Sequence, residues 1–303
     1  MQKKQPIPQT SSGKWNKALP LLLAFFLLFY GCYAVTNHPA PERLNNNLVI
    51  HYIDVGQADA SLILFPDGKS MLIDAGDNAT ADEVVQYIKD QGVTRLDCVV
   101  ATHPHADHIG GMDKVIDTFD IGEFYMPKLP DKLLPTTRTF EDMLVAMDQK
   151  DITPKSAKTG AVLFSGTGLN VEILSPLKAD YEDLNHNSAV VMVAFGKQKF
   201  LFMGDAEKEN ENVMLKNGDD VQADVIKIGH HGSKNASTEK FIKAVQPDYA
   251  ILSCGKDNSY GHPHERVLKL LQKQNVKVFR TDENGTIVLQ SDGSTLIFTP
   301  YGQ

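Results

Sequence analysis

The sequence predicts an α/β protein with mixed sheets. From about residue 48, short apolar segments rich in β-branched residues alternate with amphipathic segments of helical period, the order that layers helices on sheets. Tight turns such as Pro66-Asp67-Gly68-Lys69 predict hairpins, so we expect antiparallel as well as parallel strands. Polar residues gather where the predicted strands end, which is the edge at which α/β folds place their ligands.

The composition is that of a globular chain with one or two domains. It has 303 residues, of which 42% are hydrophobic and 22% charged. Such a length buries a core without disulfides, and three cysteines exclude a disulfide scaffold. The formal net charge of −8 argues against a strong non-specific nucleic-acid binder, which needs a basic surface.

The first 50 residues differ in charge from the rest. They carry five basic residues and one acidic residue, a net charge of +4, which leaves −12 for the remainder. Residues 18–35 form an almost unbroken apolar run with basic residues only on its N-terminal side. Basic flanks stay cytoplasmic, so residues 1–35 are predicted to be a signal anchor that leaves the domain outside the membrane.

Two alternatives to an anchor remain open. Gly31-Cys32 resembles a lipoprotein processing site, which would lipidate Cys32, although Phe29 and Tyr30 fit that motif poorly. The segment would otherwise be cleaved as a secretory signal. In each case we expect a catalytic domain outside the cytoplasm, either held at the cell membrane or secreted. Residues 36–47 are predicted to be a linker and residues 48–303 the folded domain.

Apolar β-branched runs predict the strands of the first half. The predicted strands are 48–55, 60–65, 70–75, 96–101 and 121–126. Residues 80–91 are predicted to be a helix because Val84, Val85 and Ile88 have helical spacing and Gly92 follows. Two further helices are predicted near 108–119 and 138–149.

The second half continues the same alternation. Its predicted strands are 171–176, 188–195, 199–205, 223–229 and 248–255, then the three closing segments K-V-F-R-T, T-I-V-L-Q and T-L-I-F-T. Its predicted helices are 206–216, 238–245 and 263–274.

The strongest functional motif is the segment T-H-P-H-A-D-H-I-G-G at 102–111. His103, His105, Asp107 and His108 place four potential metal ligands within six residues, directly after a buried strand. Imidazole and carboxylate together suit zinc, iron or manganese. Alternate residues of a tight loop face the same way, so His103 and His105 are predicted to share one ion while Asp107 and His108 turn toward a second.

This H-x-H-x-D-H pattern resembles the metallo-β-lactamase superfamily. The resemblance implies a four-layer αβ/βα sandwich with mixed sheets and one or two metal ions at its edge. It also implies later ligands, with Asp205 as a carboxylate that bridges the ions and with His230, favoured over the neighbouring His231. The cofactors implied are two divalent ions, zinc with manganese as the alternative.

Further motifs resemble the hydrolase domain of the DNA-uptake and competence protein ComEC and its stand-alone relatives, which include phosphorylcholine esterases. These motifs are D-V-G-Q-A-D-A (54–60), L-I-D-A-G (72–76), N-x-S from 187, M-G-D (203–205), H-H-G-S (230–233) and Y-G-H-P (260–263). The multi-span channel of ComEC has no counterpart in these 303 residues, so we expect a hydrolase and not a channel.

The sequence departs from that family at two places. Ala58 stands where the family has a glycine, which we expect to shift the backbone slightly. The family pattern places Asn187 where the superfamily often supplies a third ligand to the first metal, while the adjacent His186 is either a ligand or solvent-facing. The complete set of histidines in the metal loop favours an active enzyme.

Other polar residues are candidates for contacts around the metals or with the substrate. Asp59 and Asp74 flank early strands, and Asp74 is predicted to hold a histidine ring of the metal loop. His231, Ser233 and Lys234 are predicted to meet an anionic substrate. Tyr260 precedes His262, which is predicted to protonate a leaving group, with capping of the last helix as the alternative. The candidates for direct catalysis are Asp107 and His262.

Two such ions lower the pKa of a bound water, which Asp107 would steer toward the substrate, so no serine or cysteine nucleophile is needed. The resemblance favours a phosphodiester substrate, either DNA, including single-stranded DNA, or a surface phosphodiester. The alternatives are a lactam or lactone hydrolase and a non-catalytic DNA-uptake or surface-binding accessory. No protein partner is predicted. The ions add about four positive charges at the site, so an acidic domain can still bind phosphate.

Overall fold

Two β-sheets packed face to face form the centre of the domain, and helices cover both outer surfaces. The computed structural model describes residues 46–178 and 181–300. An eight-stranded sheet has the order β15-β14-β1-β2-β3-β4-β5-β6, and a seven-stranded sheet has the order β13-β12-β11-β10-β9-β8-β7. Both sheets mix parallel and antiparallel pairs, so the predicted α/β class with mixed sheets and four layers is confirmed.

The first sheet takes strands from both ends of the described chain. Its strands are β1 (Leu48–Tyr52), β2 (Ala60–Leu64), β3 (Ser70–Ala75), β4 (Arg95–Val100), β5 (Asp120–Met126), β6 (Lys155–Ser156), β14 (Ile287–Ser291) and β15 (Leu296–Pro300). Strands β1, β2 and β3 are antiparallel neighbours, and β3 to β6 run parallel.

The second sheet is built from the middle of the chain. Its strands are β7 (Val162–Gly166), β8 (Leu169–Ser175), β9 (Val190–Phe195), β10 (Gln198–Phe202), β11 (Val225–Lys227), β12 (Tyr249–Leu252) and β13 (Lys277–Arg280). Strands β7 to β10 are antiparallel neighbours, and β10 to β13 run parallel.

Helices connect the parallel strands of each sheet, and one more short helix follows β13. They are α1 (Ala81–Asp90), α2 (Ala106–Ile109), α3 (Met112–Thr118), α4 (Arg138–Gln149), α5 (Lys208–Asn217), α6 (Glu239–Val245), α7 (Glu265–Lys273) and α8 (Thr281–Asn284). Most begin with acidic residues in the first turn, where a carboxylate interacts favourably with the helix dipole.

Three apolar layers hold the sandwich together. The central layer lies between the sheets, where Tyr52 of β1 stacks on Phe202 of β10 with ring centroids 5.7 Å apart. The two outer layers lie between each sheet and its helices, with Ile88 of α1 and Phe241 of α6 fully buried. Full burial of each large side chain contributes about 2 kcal/mol, so these layers supply most of the driving force for folding.

Some element boundaries differ from the sequence prediction. The predicted helix near 108–119 is two helices, α2 and α3, which meet at Gly110-Gly111. The predicted strands 199–205 and 223–229 end earlier, at Phe202 and Lys227. The polar residues that follow therefore lie in the connecting loops at the strand ends, where side chains from both sheets can meet.

The predicted membrane segment, residues 18–35, lies outside the described residues, as does nearly all of the predicted linker. Within residues 46–178 and 181–300, no helix has the length and apolar character needed to cross a bilayer. The membrane attachment therefore stays a prediction.

A buried histidine makes stability depend on pH. His51 of β1 is 3% exposed, and its Nδ1 lies 2.8 Å from the Tyr87 hydroxyl of α1. Burial lowers the pKa of His51 to about 4 from its usual value of 6.5. The folded state therefore binds fewer protons than the unfolded state between these two pH values, and stability falls as the pH falls.

We expect His51→Gln to flatten the pH dependence of the unfolding free energy between pH 6.5 and 4. The buried histidine accounts for a loss of about 3 kcal/mol across that interval, as an upper figure. Urea unfolding of both proteins in chelator, at several pH values, measures the difference. Equal slopes for the two proteins would contradict the prediction.

Candidate metal centre

The histidine-rich loop after β4 is held in place by Asp74, the fifth residue of β3. The Asp74 carboxylate accepts hydrogen bonds from the Thr102 backbone N–H at 2.8 Å and from the Thr102 hydroxyl at 2.7 Å. It also lies 2.8 Å from His108 Nδ1, which fixes that ring with Nε2 facing the site. Asp74 has a φ of +58°, an uncommon conformation for a non-glycine residue, and its three buried contacts offset the strain.

Gly110 brings the end of this loop against the loop that follows β3. A Cβ atom at Gly110 would lie 2.3 Å from the backbone nitrogen of Asn78, so no larger residue fits. The Gly110 N–H donates to Gly76 O at 2.9 Å. Glycine at this position therefore lets two backbone segments pack in direct contact and fixes the start of α3.

The first group of potential ligands consists of His103, His105 and Asp205. His103 Nε2 lies 2.9 Å from His105 Nδ1 and 3.7 Å from Asp205 Oδ2. The ligand atoms of all three residues lie within 4.8 Å of one another. His103 and Asp205 are buried, and His105 is half-buried, so this group opens to solvent on the side of His105.

The second group consists of Asp107, His108, Asp205 and His231. His108 Nε2 lies 3.2 Å from Asp205 Oδ1, and His231 Nε2 lies 3.3 Å from Asp107 Oδ2 and 3.7 Å from Asp205 Oδ1. Three of the four residues are buried, and the side chain of Asp107 is 37% exposed.

Asp205 belongs to both groups and faces each with a different oxygen. It lies in the loop after β10, where its backbone N–H donates to the Ser188 hydroxyl. Two atoms of the second group, Asp205 Oδ1 and His108 Nε2, are buried without a hydrogen-bond partner of good geometry. Buried polar atoms are costly when unpaired, so these atoms fit a bound cation. The donor set of imidazoles and carboxylates fits two zinc or manganese ions.

The electrostatics of the cluster favour bound cations. Burial opposes the charged form of His108, but Asp205 and Asp74 outweigh it and raise the pKa of His108 well above its usual value. Burial also opposes the charged form of Asp205, yet His108 and His231 keep the pKa of that carboxyl well below its usual range. The Asp205 carboxylate therefore remains charged and makes the pocket attractive to positive charge.

The structure differs from the sequence prediction in placing His231, not His230, in the second group. The two residues lie in a 3₁₀ turn, Gly229–Gly232, where both have left-handed backbone angles, with φ of +49° and +51°. This turn sends the two rings in different directions. His231 Nδ1 donates to Ser253 O at 3.0 Å, leaving Nε2 for the metal site. His230 Nδ1 contacts Glu207 Oε1 at 2.8 Å, and its Nε2 lies 3.6 Å from Asp205 Oδ2, although His230 is a member of neither ligand group.

A buried ion pair lies next to the metal-ligand cluster and contacts His231. Lys227 Nζ, at the end of β11, donates to Asp59 Oδ2, and the two side chains are 3% and 2% exposed. Asp59 Oδ1 lies 3.4 Å from His231 Nδ1. Burial alone would raise the pKa of Asp59, but Lys227 and His231 lower it overall, so the carboxylate stays charged.

Lys227 was not among the residues singled out in the sequence. The signal was available, because a single lysine in the apolar strand A-D-V-I-K-I-G is unusual and Asp59 is a single acidic residue before the apolar strand β2. A lysine inside an apolar strand needs a buried counter-charge, since an unpaired buried charge is costly, and Asp59 is a candidate because it directly precedes an apolar strand. Glu207 was missed because nothing in the sequence relates it to His230.

The other predicted site residues lie around the cluster. His186 lies outside both groups, with Nε2 3.5 Å from Glu207 Oε2 and Nδ1 3.4 Å from Glu209 Oε2. Asn187 is fully buried and its Oδ1 has no hydrogen-bond partner, so this oxygen is available to a ligand. Ser233 is buried, and Lys234 is exposed beside a polar groove of about 790 Å³.

Tyr260 and His262 lie beside the second group. The His262 ring is 5.6 Å from His230 and 6.2 Å from His231, between centroids. Burial and the neighbouring His231 lower the pKa of His262 to about 4, so the ring is neutral at pH 7. Its predicted role as a proton donor stays a prediction. The N-cap of α7 is His264 and not His262.

The two-sheet sandwich and the histidine–carboxylate cluster at its edge define the metallo-β-lactamase class of folds. Residues 53–256 match the metallo-beta-lactamase superfamily, and the chain belongs to that superfamily. The predicted family and fold are therefore confirmed.

Proteins with names linked to competence are similar to this chain. ComE operon protein 3 of Bacillus subtilis is 30% identical over 91% of this chain and 36% of its own length. Competence protein ComA of Neisseria gonorrhoeae is 28% identical over 86% of this chain and 34% of its own length. The chain thus spans about a third of the length of these relatives.

Among solved structures, CmlA, a diiron beta-hydroxylase from Streptomyces venezuelae, superposes with a TM-score of 0.54 at 15% identity. The match covers 80% of this chain and 54% of CmlA. At this identity the likeness shows the fold alone.

The neighbours His230 and His231 provide a matched test of the metal site. We expect the wild-type chain to retain two zinc ions after dialysis, His231→Ala to retain one and His230→Ala to retain two, because only His231 has a ring nitrogen in the second group. Atomic emission measures the ratio of metal to protein. Loss of one ion from His230→Ala but not from His231→Ala would restore the sequence prediction.

The buried pair Asp59–Lys227 predicts a large effect on stability. Lys227→Met leaves a buried carboxylate without its partner and should lower the unfolding free energy by about 3 to 5 kcal/mol. Lys69→Met is the matched control, since Lys69 pairs with Asp67 at 2.6 Å on the surface, and such a pair contributes at most about 1 kcal/mol. Denaturant unfolding in the presence of a chelator measures the unfolding free energy of both variants. Equal and small decreases in the two variants would contradict the prediction.

Proposed function

We propose that this protein is a metal-dependent phosphodiesterase that acts outside the cytoplasm, on DNA or on a phosphodiester of the cell surface. The observation that carries the proposal is the position of Asp205, whose two carboxylate oxygens face two separate groups of metal ligands. A pair of ions sharing one carboxylate is the arrangement by which enzymes activate water and stabilise charge on a phosphoryl group.

The side chains of the two groups would have the following roles. His103 and His105 would hold one ion, Asp107, His108 and His231 would hold the other, and Asp205 would contribute to both sites. When bound, the ions supply Lewis acidity and lower the pKa of a coordinated water. Asp107 is the exposed member of its group, so its carboxylate faces the side from which water and substrate arrive and can orient the attacking water.

Hydrolysis by a thiol nucleophile does not fit the described residues. Cys98 and Cys254 are both buried. Burial raises the pKa of the Cys98 thiol far above neutrality and that of Cys254 to about 12. Neither forms a thiolate at neutral pH, which supports activated water as the nucleophile.

The substrate class and location rest on weaker supports. Relatives with names such as competence protein ComA favour a substrate connected with DNA. The apolar run at 18–35, with its basic flank, favours a domain anchored to the cell membrane on the outer side, with lipidation of Cys32 or secretion as alternatives. The net charge of −12 beyond residue 50 favours weak binding of DNA or a small substrate.

Assays of the full-length chain with zinc or manganese test the proposal. We expect hydrolysis of bis-p-nitrophenyl phosphate and of single-stranded DNA, and a loss of at least about a hundredfold in Asp205→Asn, because that variant loses the shared carboxylate. Ile297→Ala, an exposed site on β15, serves as the matched control.

Three outcomes would contradict the proposal. Hydrolysis of a β-lactam or lactone without any phosphodiester cleavage would favour the other hydrolase. Stoichiometric metal binding without turnover of any substrate would favour a non-catalytic accessory. Full activity in Asp205→Asn would show that the shared carboxylate is not needed for catalysis.

A further inference from the structure

An exposed aromatic side chain lies at the outer end of a series of stacked rings that begins at the metal-site residue His231. Tyr260 is 72% exposed, which is high for a large side chain with an apolar ring. Its ring lies 5.7 Å from that of His262, with 22° between the planes, and the His262 ring lies 6.2 Å from that of His231 at 25°. Tyr260 and His262 together form the aromatic ledge, a row of nearly parallel rings leading outward from the metal ligand His231.

The loop that carries the ledge is held by Asn258. Its Oδ1 accepts hydrogen bonds from the backbone N–H groups of Tyr260 at 3.2 Å and His262 at 3.0 Å. Its Nδ2 donates to Gly255 O at 2.9 Å and to His262 O. One side chain thus connects both ends of the loop, so the ledge is preorganised and a ligand that stacks on it orders little additional chain.

A second contact fixes the ledge to the first sheet. Gln57, in the loop between β1 and β2, lies with Nε2 3.4 Å from His262 Nδ1, and its Oε1 accepts from the Gly255 N–H at 3.0 Å. The ledge therefore keeps a constant position relative to the metal ligands. Tyr260 is separated from the metal-site residue His231 by two ring spacings, of 5.7 and 6.2 Å, so a planar group stacked on Tyr260 would belong to a neighbouring part of a strand bound at the metals.

We propose that the aromatic ledge stacks a nucleobase of the strand that is cleaved, and that the substrate is single-stranded nucleic acid. The inference rests on the proposed function and narrows its substrate class. Bases of a single strand expose their faces, and base–aromatic stacking tolerates every base. Bases inside a duplex are covered on both faces by their neighbours and cannot reach such a ledge without being unstacked.

The shape of the ledge favours a base over a quaternary ammonium group. Cation recognition of that kind uses a cage of several aromatic rings around one point. The rings of Tyr260 and His262 are stacked with 22° between their planes, so they offer the flat outer face of Tyr260 instead of enclosing a volume. A flat face matches a planar heterocycle.

The test compares two oligonucleotides with identical phosphodiester backbones, a ten-nucleotide thymidine strand and an abasic strand of the same length. In the full-length chain, Tyr260→Ala should raise KM for the thymidine strand about tenfold with little change in kcat, and leave KM for the abasic strand unchanged. Tyr260→Phe should retain the wild-type KM for both, since it keeps the ring. Ile297→Ala removes another exposed apolar side chain, 56% exposed on β15, and should change neither.

Binding provides a readout that is independent of turnover. Fluorescence anisotropy of the labelled strands, with the protein in chelator, should show the same base-dependent loss of affinity in Tyr260→Ala. An equal change in affinity for the two strands, or no change for either strand, would overturn the ledge proposal. Such a result would not affect the proposal of phosphodiester hydrolysis. Failure of the wild-type chain to cleave any phosphodiester would instead refute the proposed function, and base-dependent anisotropy would then still test the ledge.

Discussion

The ion pair between Asp59 and Lys227 is the constraint on which the rest of the site depends. Asp59 precedes β2 of the first sheet and Lys227 ends β11 of the second, so the pair joins the two halves of the sandwich beneath the metal cluster. The Asp59 backbone adds two further links, since its N–H donates to Asp107 O at 3.0 Å and its carbonyl accepts from the Gly76 N–H at 2.8 Å. Two charges removed from water are costly, and their mutual pairing and these backbone bonds offset the cost.

Other buried contacts position the individual metal ligands. Asp74 holds His108, Ser253 O holds His231, and the Ser188 hydroxyl accepts the backbone N–H of Asp205. Each contact uses the ring nitrogen or backbone group that does not face the ions, which orients the remaining atom toward them. Partners of this kind determine the ring orientation and basicity of a metal ligand. The site is therefore rigid on its protein side, and its open side is formed by Asp107, His105 and the aromatic ledge.

Much of this arrangement could be predicted from the sequence, and the exceptions have physical causes. The order of strands and helices, and the ligands of the H-x-H-x-D-H loop, are local patterns. A choice between His230 and His231 is not local, because both residues have left-handed backbone angles and the ring directions depend on Glu207 and Ser253, which are distant in sequence. Strand β6 has only two residues, Lys155–Ser156, both exposed, so it carries no hydrophobic pattern.

The two ligand groups draw on both sheets, and this has a consequence for the lifetime of the protein. His103, His105, Asp107 and His108 follow a strand of the first sheet, whereas Asp205 and His231 follow strands of the second. Ions held by these residues would cross-link the two halves, and ligands that bind only the folded state stabilise it by mass action. We therefore expect metal supply to set the rate at which the folded domain opens and is degraded by proteases. Metal starvation would then remove the protein itself as well as its activity.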